Sequence, residues 1–172
     1  VQLYGGFAGT EAGRDERNWT AHATMLSGDI DGDGTLANNA YHVVYVDGVT
    51  NEKITTATMV DGFTVTGGNA DGSVPNNNGG GLYCAGSGSG HQCSPTLRNL
   101  VISGSSADYG GGLYNNGSFG ESSPVPTNVE ATSASWGIWS PRWHENWEWV
   151  PNWEKCWHTD HWTDADGKSH TD

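Results

Sequence analysis

Gly79-Gly80-Gly81-Leu82-Tyr83 returns, letter for letter, as Gly110-Gly111-Gly112-Leu113-Tyr114. An identity of this kind at a spacing of about 31 residues marks an internal repeat, the signature of stacked supersecondary units. Working outward, the stretch from Phe63 to Asp71 aligns with that from Leu100 to Asp108, and Ser94 to Asn99 aligns with Ser123 to Asn128. The first copy carries six extra residues, Gly72 to Asn77, ahead of its triple glycine. Each unit therefore reads as strand, glycine turn, short strand, variable loop, Ser-Pro turn and strand. A unit so short, with no helix, cannot bury its own apolar side chains and is expected to stack on the next copy. Phe63 and Val65, like Leu100 and Ile102, stand two apart and are expected to point inward, with Thr64 and Thr66 pointing out. Glycines at the corners permit positive φ. These parts predict an all-β chain folded as a parallel β-helix.

Composition agrees with many short strands. The 172 residues include 26 Gly and only 34% apolar residues, and the mean hydropathy is -0.58. So much glycine argues against a helical globule, because each glycine inside a helix costs about 1 kcal/mol. The net charge of -13, with seven Lys and Arg against twenty Asp and Glu, repels nucleic acid and anionic membranes. Neutral glycans, cations or protein surfaces are the expected partners. No apolar run approaches the length of a membrane-spanning helix. The chain opens at Val1, in the middle of a strand pattern, and is read as a piece of a longer protein.

Toward the N-terminus, the stretch from Val1 to Phe7 reads as a strand ending at a glycine turn, and Tyr41 to Val46 as a strong strand. The segment from Asp61 to Ala70, the two triple-glycine turns and Ser94-Pro95-Thr96-Leu97-Arg98-Asn99 resemble the right-handed parallel β-helix repeats of bacterial surface proteins, including polymorphic outer-membrane-protein-like repeats. The segments Leu3 to Glu11 and Leu26 to Ile30 are similar to the part that precedes such repeats. The resemblance covers residues 1–137. It implies a short, truncated right-handed solenoid at a bacterial cell surface or outside the cell, with open ends through which copies could self-associate. After Gly137 the pattern stops. The segment 138–172 holds seven of the nine tryptophans and four of the seven histidines, and is expected to form an irregular Trp- and His-rich C-terminal cap, a second unit after 1–137.

Three constellations carry chemistry. Asp29-Ile30-Asp31-Gly32-Asp33-Gly34 places oxygen donors at alternate positions with a glycine for the sharp turn, which suits Ca²⁺. Against a calcium loop of the EF-hand kind the match is partial, since Ala40 stands where a bidentate glutamate belongs. Cys84 and Cys93 flank a Gly/Ser loop, and a disulfide there would staple it, with two free thiols or half a metal site as the alternatives. Cys156, His158, Asp160 and His161 combine thiolate, imidazole and carboxylate, the ligand set of Zn²⁺ and similar ions. Cys156-Trp157-His158-Thr159-Asp160-His161 also resembles the His-x-His-x-Asp-His signature of metallo-β-lactamase-type hydrolases, with Cys156 in the first histidine's place.

Trp139, Trp143 and Trp147 recur at every fourth residue, as do Trp149, Trp153 and Trp157, helical spacings that Pro141 and Pro151 interrupt, and of these Trp143, Trp147, Trp153 and Trp157 are the candidate binding residues. They are expected either to cap the open end or to bind a sugar or protein surface. In the repeats, His22, His42 and His91 stand apart and read as surface or turn residues. The function expected is an extracellular or cell-surface module for adhesion or recognition of a glycan or protein, stabilised by Ca²⁺. The competing expectation is a metal-dependent hydrolase of a lactone, ester or glycan using the C-terminal Cys/His/Asp cluster.

Overall fold

A computed structural model describes residues 1–50, 53–117, 122–132, 161–163 and 169–171. In chain order the strands are β1 (Gln2–Tyr4), β2 (Thr24–Ser27), β3 (Val44–Asp47), β4 (Met59–Asp61), β5 (Phe63–Thr66), β6 (Asn69–Ala70), β7 (Leu82–Ala85), β8 (Thr96–Ser103), β9 (Ser106–Ala107), β10 (Leu113–Asn116), β11 (Val125–Thr132), β12 (His161–Thr163) and β13 (Ser169–Thr171). A 3-10 turn at Arg14–Glu16 is the one helical element among the described residues.

Repeat copies pair in parallel, and the register is the one their sequences align in. Leu113 and Tyr114 of β10 stand beside Leu82 and Tyr83 of β7, Val65 of β5 beside Ile102 of β8, and Val125 of β11 beside Thr96 of β8. At the triple glycine the copies approach closely. Gly79 and Gly110 take φ of 65° and 61°, the left-handed region that glycine enters without a Cβ clash. A Cβ on Gly81 would come within 2.7 Å of the Ile102 side chain, so the third glycine answers to packing and not to φ.

The expected right-handed parallel β-helix is corrected by the sheet topology. Among the described residues the strands fall into several small sheets, with no closed barrel and no continuous solenoid. One sheet has six strands in the order β1-β4-β8-β5-β2, with β11 branching from β8. Another has three, β10-β7-β3, and two further pairs are β6-β9 and β12-β13. The last pair is antiparallel. The physical cause lies in how the copies meet. Gly62, at φ of 84°, interrupts one copy between the short strands β4 and β5, whereas Asn99 at the same register, also at positive φ of 48°, stays inside a strand. The next copy runs through as the single eight-residue β8, which takes both on its edge. The six-stranded sheet continues to β11 while the three-stranded sheet ends at β10, so among the described residues the two main sheets do not share a strand from every copy.

Alternation decides what is buried. Phe63 and Val65 are buried, while Thr64 and Thr66 are half-buried. Leu100 and Ile102 are buried and Val101 between them is exposed. Val60, Phe63, Val65, Leu97, Leu100 and Ile102 from the six-stranded sheet meet Val46, Leu82, Cys84 and Leu113 from the three-stranded sheet in one apolar cluster. The outer faces of β3, β7 and β10 are then free to carry side chains of another kind.

Candidate functional site

Leu82 and Cys84 turn into the core, so Tyr83 must face the other way. Its parallel neighbours at the same register are Tyr45 on β3 and Tyr114 on β10. The three rings stack as a column. Tyr45 and Tyr83 have centroids 5.3 Å apart at 18°, and Tyr83 and Tyr114 are 5.5 Å apart at 7°. His42 stacks on Tyr83 at 5.1 Å, leans on Tyr45 at 5.7 Å, and is held by its Nδ1 against the Gly79 carbonyl oxygen at 3.1 Å. With that carbonyl as acceptor, Nδ1 carries the proton.

Tyr83, enclosed by its neighbours, is 2% exposed, whereas Tyr45 at the edge is 51% exposed. Two more half-exposed rings adjoin this column. Tyr41 packs on Gly72 at the start of the inserted loop, and Tyr109, bridged to Asn78 at that loop's end, lies near Tyr114. Burial, with the Asp47 carboxylate and Tyr83 adding to it, raises the Tyr45 phenol above its ordinary value. Burial likewise raises Tyr114, with Tyr83 and Tyr109 beside it. At neutral pH both are uncharged donors and apolar faces at once, the amphipathic character that suits tyrosine to contact surfaces.

The acidic loop has a definite shape. Asp29 accepts hydrogen bonds from the Gly32 and Gly34 amides at 2.8 and 3.0 Å. Asp33 accepts one from the Thr35 amide at 2.7 Å. One carboxylate oxygen from each of Asp29, Asp31 and Asp33 lies within 4.8 Å of the others. Two oxygens on one Ca²⁺ at its usual ligand distance can be no more than about 5 Å apart, so the trio fits a shared cation. The Ala40 amide closes the loop on the Gly28 carbonyl at 2.9 Å. Ala40 offers no carboxylate, and further ligands would have to be carbonyls or water.

Cys84 and Cys93 are joined as a disulfide and both are fully buried. Cys156, His158 and Asp160 lie outside the described residues, as do Trp143, Trp147, Trp153 and Trp157. His161 enters only as a strand position of β12, opposite Thr171. The triple-glycine repeat does not reveal the tyrosine column, because Tyr45 lies on β3, ahead of the first triple glycine. Its signal in the sequence is the alignment of Val44-Tyr45-Val46-Asp47 with Leu82-Tyr83-Cys84-Ala85.

A family model described as a domain of unknown function (DUF8195) matches residues 114–172, less than half of the chain. The match begins inside β10, so it joins the last repeat strands to the Trp- and His-rich segment across the boundary expected after residue 137. No curated protein and no solved structure matches the chain.

Proposed function

We propose that this chain is an extracellular or cell-surface recognition module whose tyrosine-lined side engages a neutral glycan. One observation carries the reading: Tyr45 ends a column of stacked rings with half its surface open, and Tyr41 and Tyr109 stand half-exposed on adjoining structure. Flat aromatic faces take the apolar faces of sugar rings, and the phenol hydroxyls take sugar hydroxyls. A net charge of -13 disfavours acidic polysaccharides and nucleic acid as ligands. Ca²⁺ at Asp29, Asp31 and Asp33 would brace the loop next to this surface. The hydrolase expectation rests on side chains outside the described residues, and no described observation favours it.

A glycan array probed with the wild-type chain and with Tyr41→Ala, Tyr45→Ala and Tyr109→Ala tests the reading. Binding to an uncharged glycan is expected. Each ring removed should cost about 0.5–1.5 kcal/mol, up to about tenfold in affinity. An array with no neutral ligand, or binding indifferent to all three changes, would sink it.

A further inference from the structure

Two asparagines stand in the pattern Asn-x-Ser/Thr that marks an N-glycosylation acceptor: Asn18-Trp19-Thr20 and Asn116-Gly117-Ser118. The fold treats them in opposite ways. Asn116 is half-buried, and its side-chain nitrogen donates to the Tyr83 hydroxyl at 3.0 Å, so the atom that would carry a sugar is already engaged. Asn18 is exposed, as are Trp19 and Thr20.

The main chain at Asn18 is pinned, with its amide donating to the Gly6 carbonyl at 2.8 Å and its carbonyl accepting from the His22 amide at 2.8 Å. Its side-chain oxygen is fully used. Oδ1 accepts from the Thr20 hydroxyl at 2.7 Å, the Thr20 amide at 3.1 Å and the Ala21 amide at 3.0 Å. Nδ2 alone is left over, and among the described residues it donates to nothing. Trp19 is held in place on the far side, its ring under the Arg17 guanidinium at 5.0 Å.

We propose that Asn18 is an N-linked glycan acceptor and that Asn116 is not. The donor class is a lipid-diphosphate-linked oligosaccharide, used by an oligosaccharyltransferase. Nδ2 forms a bond to the sugar's anomeric carbon as the bond from that carbon to the phosphate oxygen breaks. The diphosphate leaves on its lipid, and one Nδ2 proton passes to a base of the transferase. The Thr20 hydroxyl, already bonded to Oδ1, supplies the contact that the third position of the pattern requires. The proposal rests on the extracellular reading, since a secreted or displayed protein is the kind such transferases meet.

The test uses the purified, disulfide-bonded full chain with a transferase, a lipid-linked oligosaccharide and an unstructured Asn-x-Thr peptide that reports turnover in the same reaction. Intact mass and peptide mapping give the readout. The expected result is one glycan on Asn18 and none on Asn116. The adduct is retained in Thr20→Ser and lost in Thr20→Ala and in Asn18→Asp, the last of which keeps the oxygen that braces the turn. An unmodified Asn18 while the peptide is consumed overturns the proposal, as does modification of Asn116 instead, or an adduct that persists in Asn18→Asp. The reaction is indifferent to what the tyrosine surface binds, so its failure leaves the recognition reading to the array.

Discussion

At the scale of single residues, the N-terminal segment is tied down by one buried ion pair. Arg17 meets Asp61 at 2.7 Å, with side chains 9% and 3% exposed. Arg17 also donates to the Gly5 carbonyl at 3.0 Å and lies between the Tyr4 and Trp19 rings, 5.1 and 5.0 Å from their centroids. Asp61 accepts a second bond from Asn99 at 2.7 Å, and Asn99 accepts one from Asn128 at 2.9 Å. Asn99 and Asn128 both hold positive φ, 48° and 53°, a region where asparagine is among the better-tolerated side chains. Replacing one partner of such a pair strands the other charge. Asp61→Ala should therefore lose about 3–5 kcal/mol in urea unfolding, and a loss below about 1 kcal/mol would show that the pair is not buried as described.

The tyrosine column makes a prediction of opposite character, in pH. The Tyr45 and Tyr114 phenols are raised above the ordinary 10.0, so the folded state holds these protons more tightly than the unfolded chain does. Their contribution to stability is complete below pH 10 and disappears as pH rises through the folded values. Ultraviolet titration of the folded chain should show phenols ionising later than free tyrosine. Tyr45→Phe, which cannot ionise, should unfold at a higher pH than wild type. An unchanged alkaline transition would count against the column.

Between elements, the repeat reveals a substitution series. Val46 on β3 stands beside Cys84 on β7, which stands beside Asn115 on β10. Ile54 bridges to Cys93, and counting back from Val125 opposite Thr96 sets Ser122 opposite Cys93. One position pair is thus apolar in the first layer and a disulfide in the second. In the third it is polar, where the Asn115 side-chain Nδ2 donates to the Ser122 carbonyl at 3.3 Å. The Cys93 amide donates to the Ser122 hydroxyl at 2.9 Å, so the second and third layers are in direct contact. Asn115→Cys with Ser122→Cys should form a second disulfide on top of the first. Closing so small a loop stabilises by about 2 kcal/mol. Non-reducing peptide mapping that recovers free thiols at both positions would refute the layer equivalence.

For the whole molecule, the acidic loop matters through what it is fastened to. Asn39, 9% exposed, donates to the Thr35 carbonyl at 2.9 Å within the loop and to the Gly67 carbonyl at 2.7 Å in the adjoining repeat. Asn69 donates to the Leu36 carbonyl at 2.9 Å. A cation holding Asp29, Asp31 and Asp33 would therefore stiffen more than its own turn. With three carboxylates and no bidentate glutamate, the affinity belongs to the weak range of extracellular modules, a Kd of about 10⁻⁴ to 10⁻³ M. Ca²⁺ at about ten times that value should add about 1.4 kcal/mol in thermal unfolding. Asp31→Asn with Asp33→Asn should abolish the gain, and equal stability with calcium or chelator would remove the site. No described helix is long and apolar enough to cross a membrane.

The repeat, its register and its buried alternation were legible in the residues, because glycine turns, Ser-Pro turns and two-residue periodicity are local properties that a chain carries wherever it is placed. So was the acidic loop, whose ligands lie within five residues of one another. Other features were settled only in three dimensions: the division into separate sheets, the ring column from Tyr45 to Tyr114, the Arg17–Asp61 pair, and which of two Asn-x-Ser/Thr patterns leaves its nitrogen free. Each depends on residues far apart in the chain meeting at one register, and on packing that spends one side chain's polar atoms and leaves another's exposed.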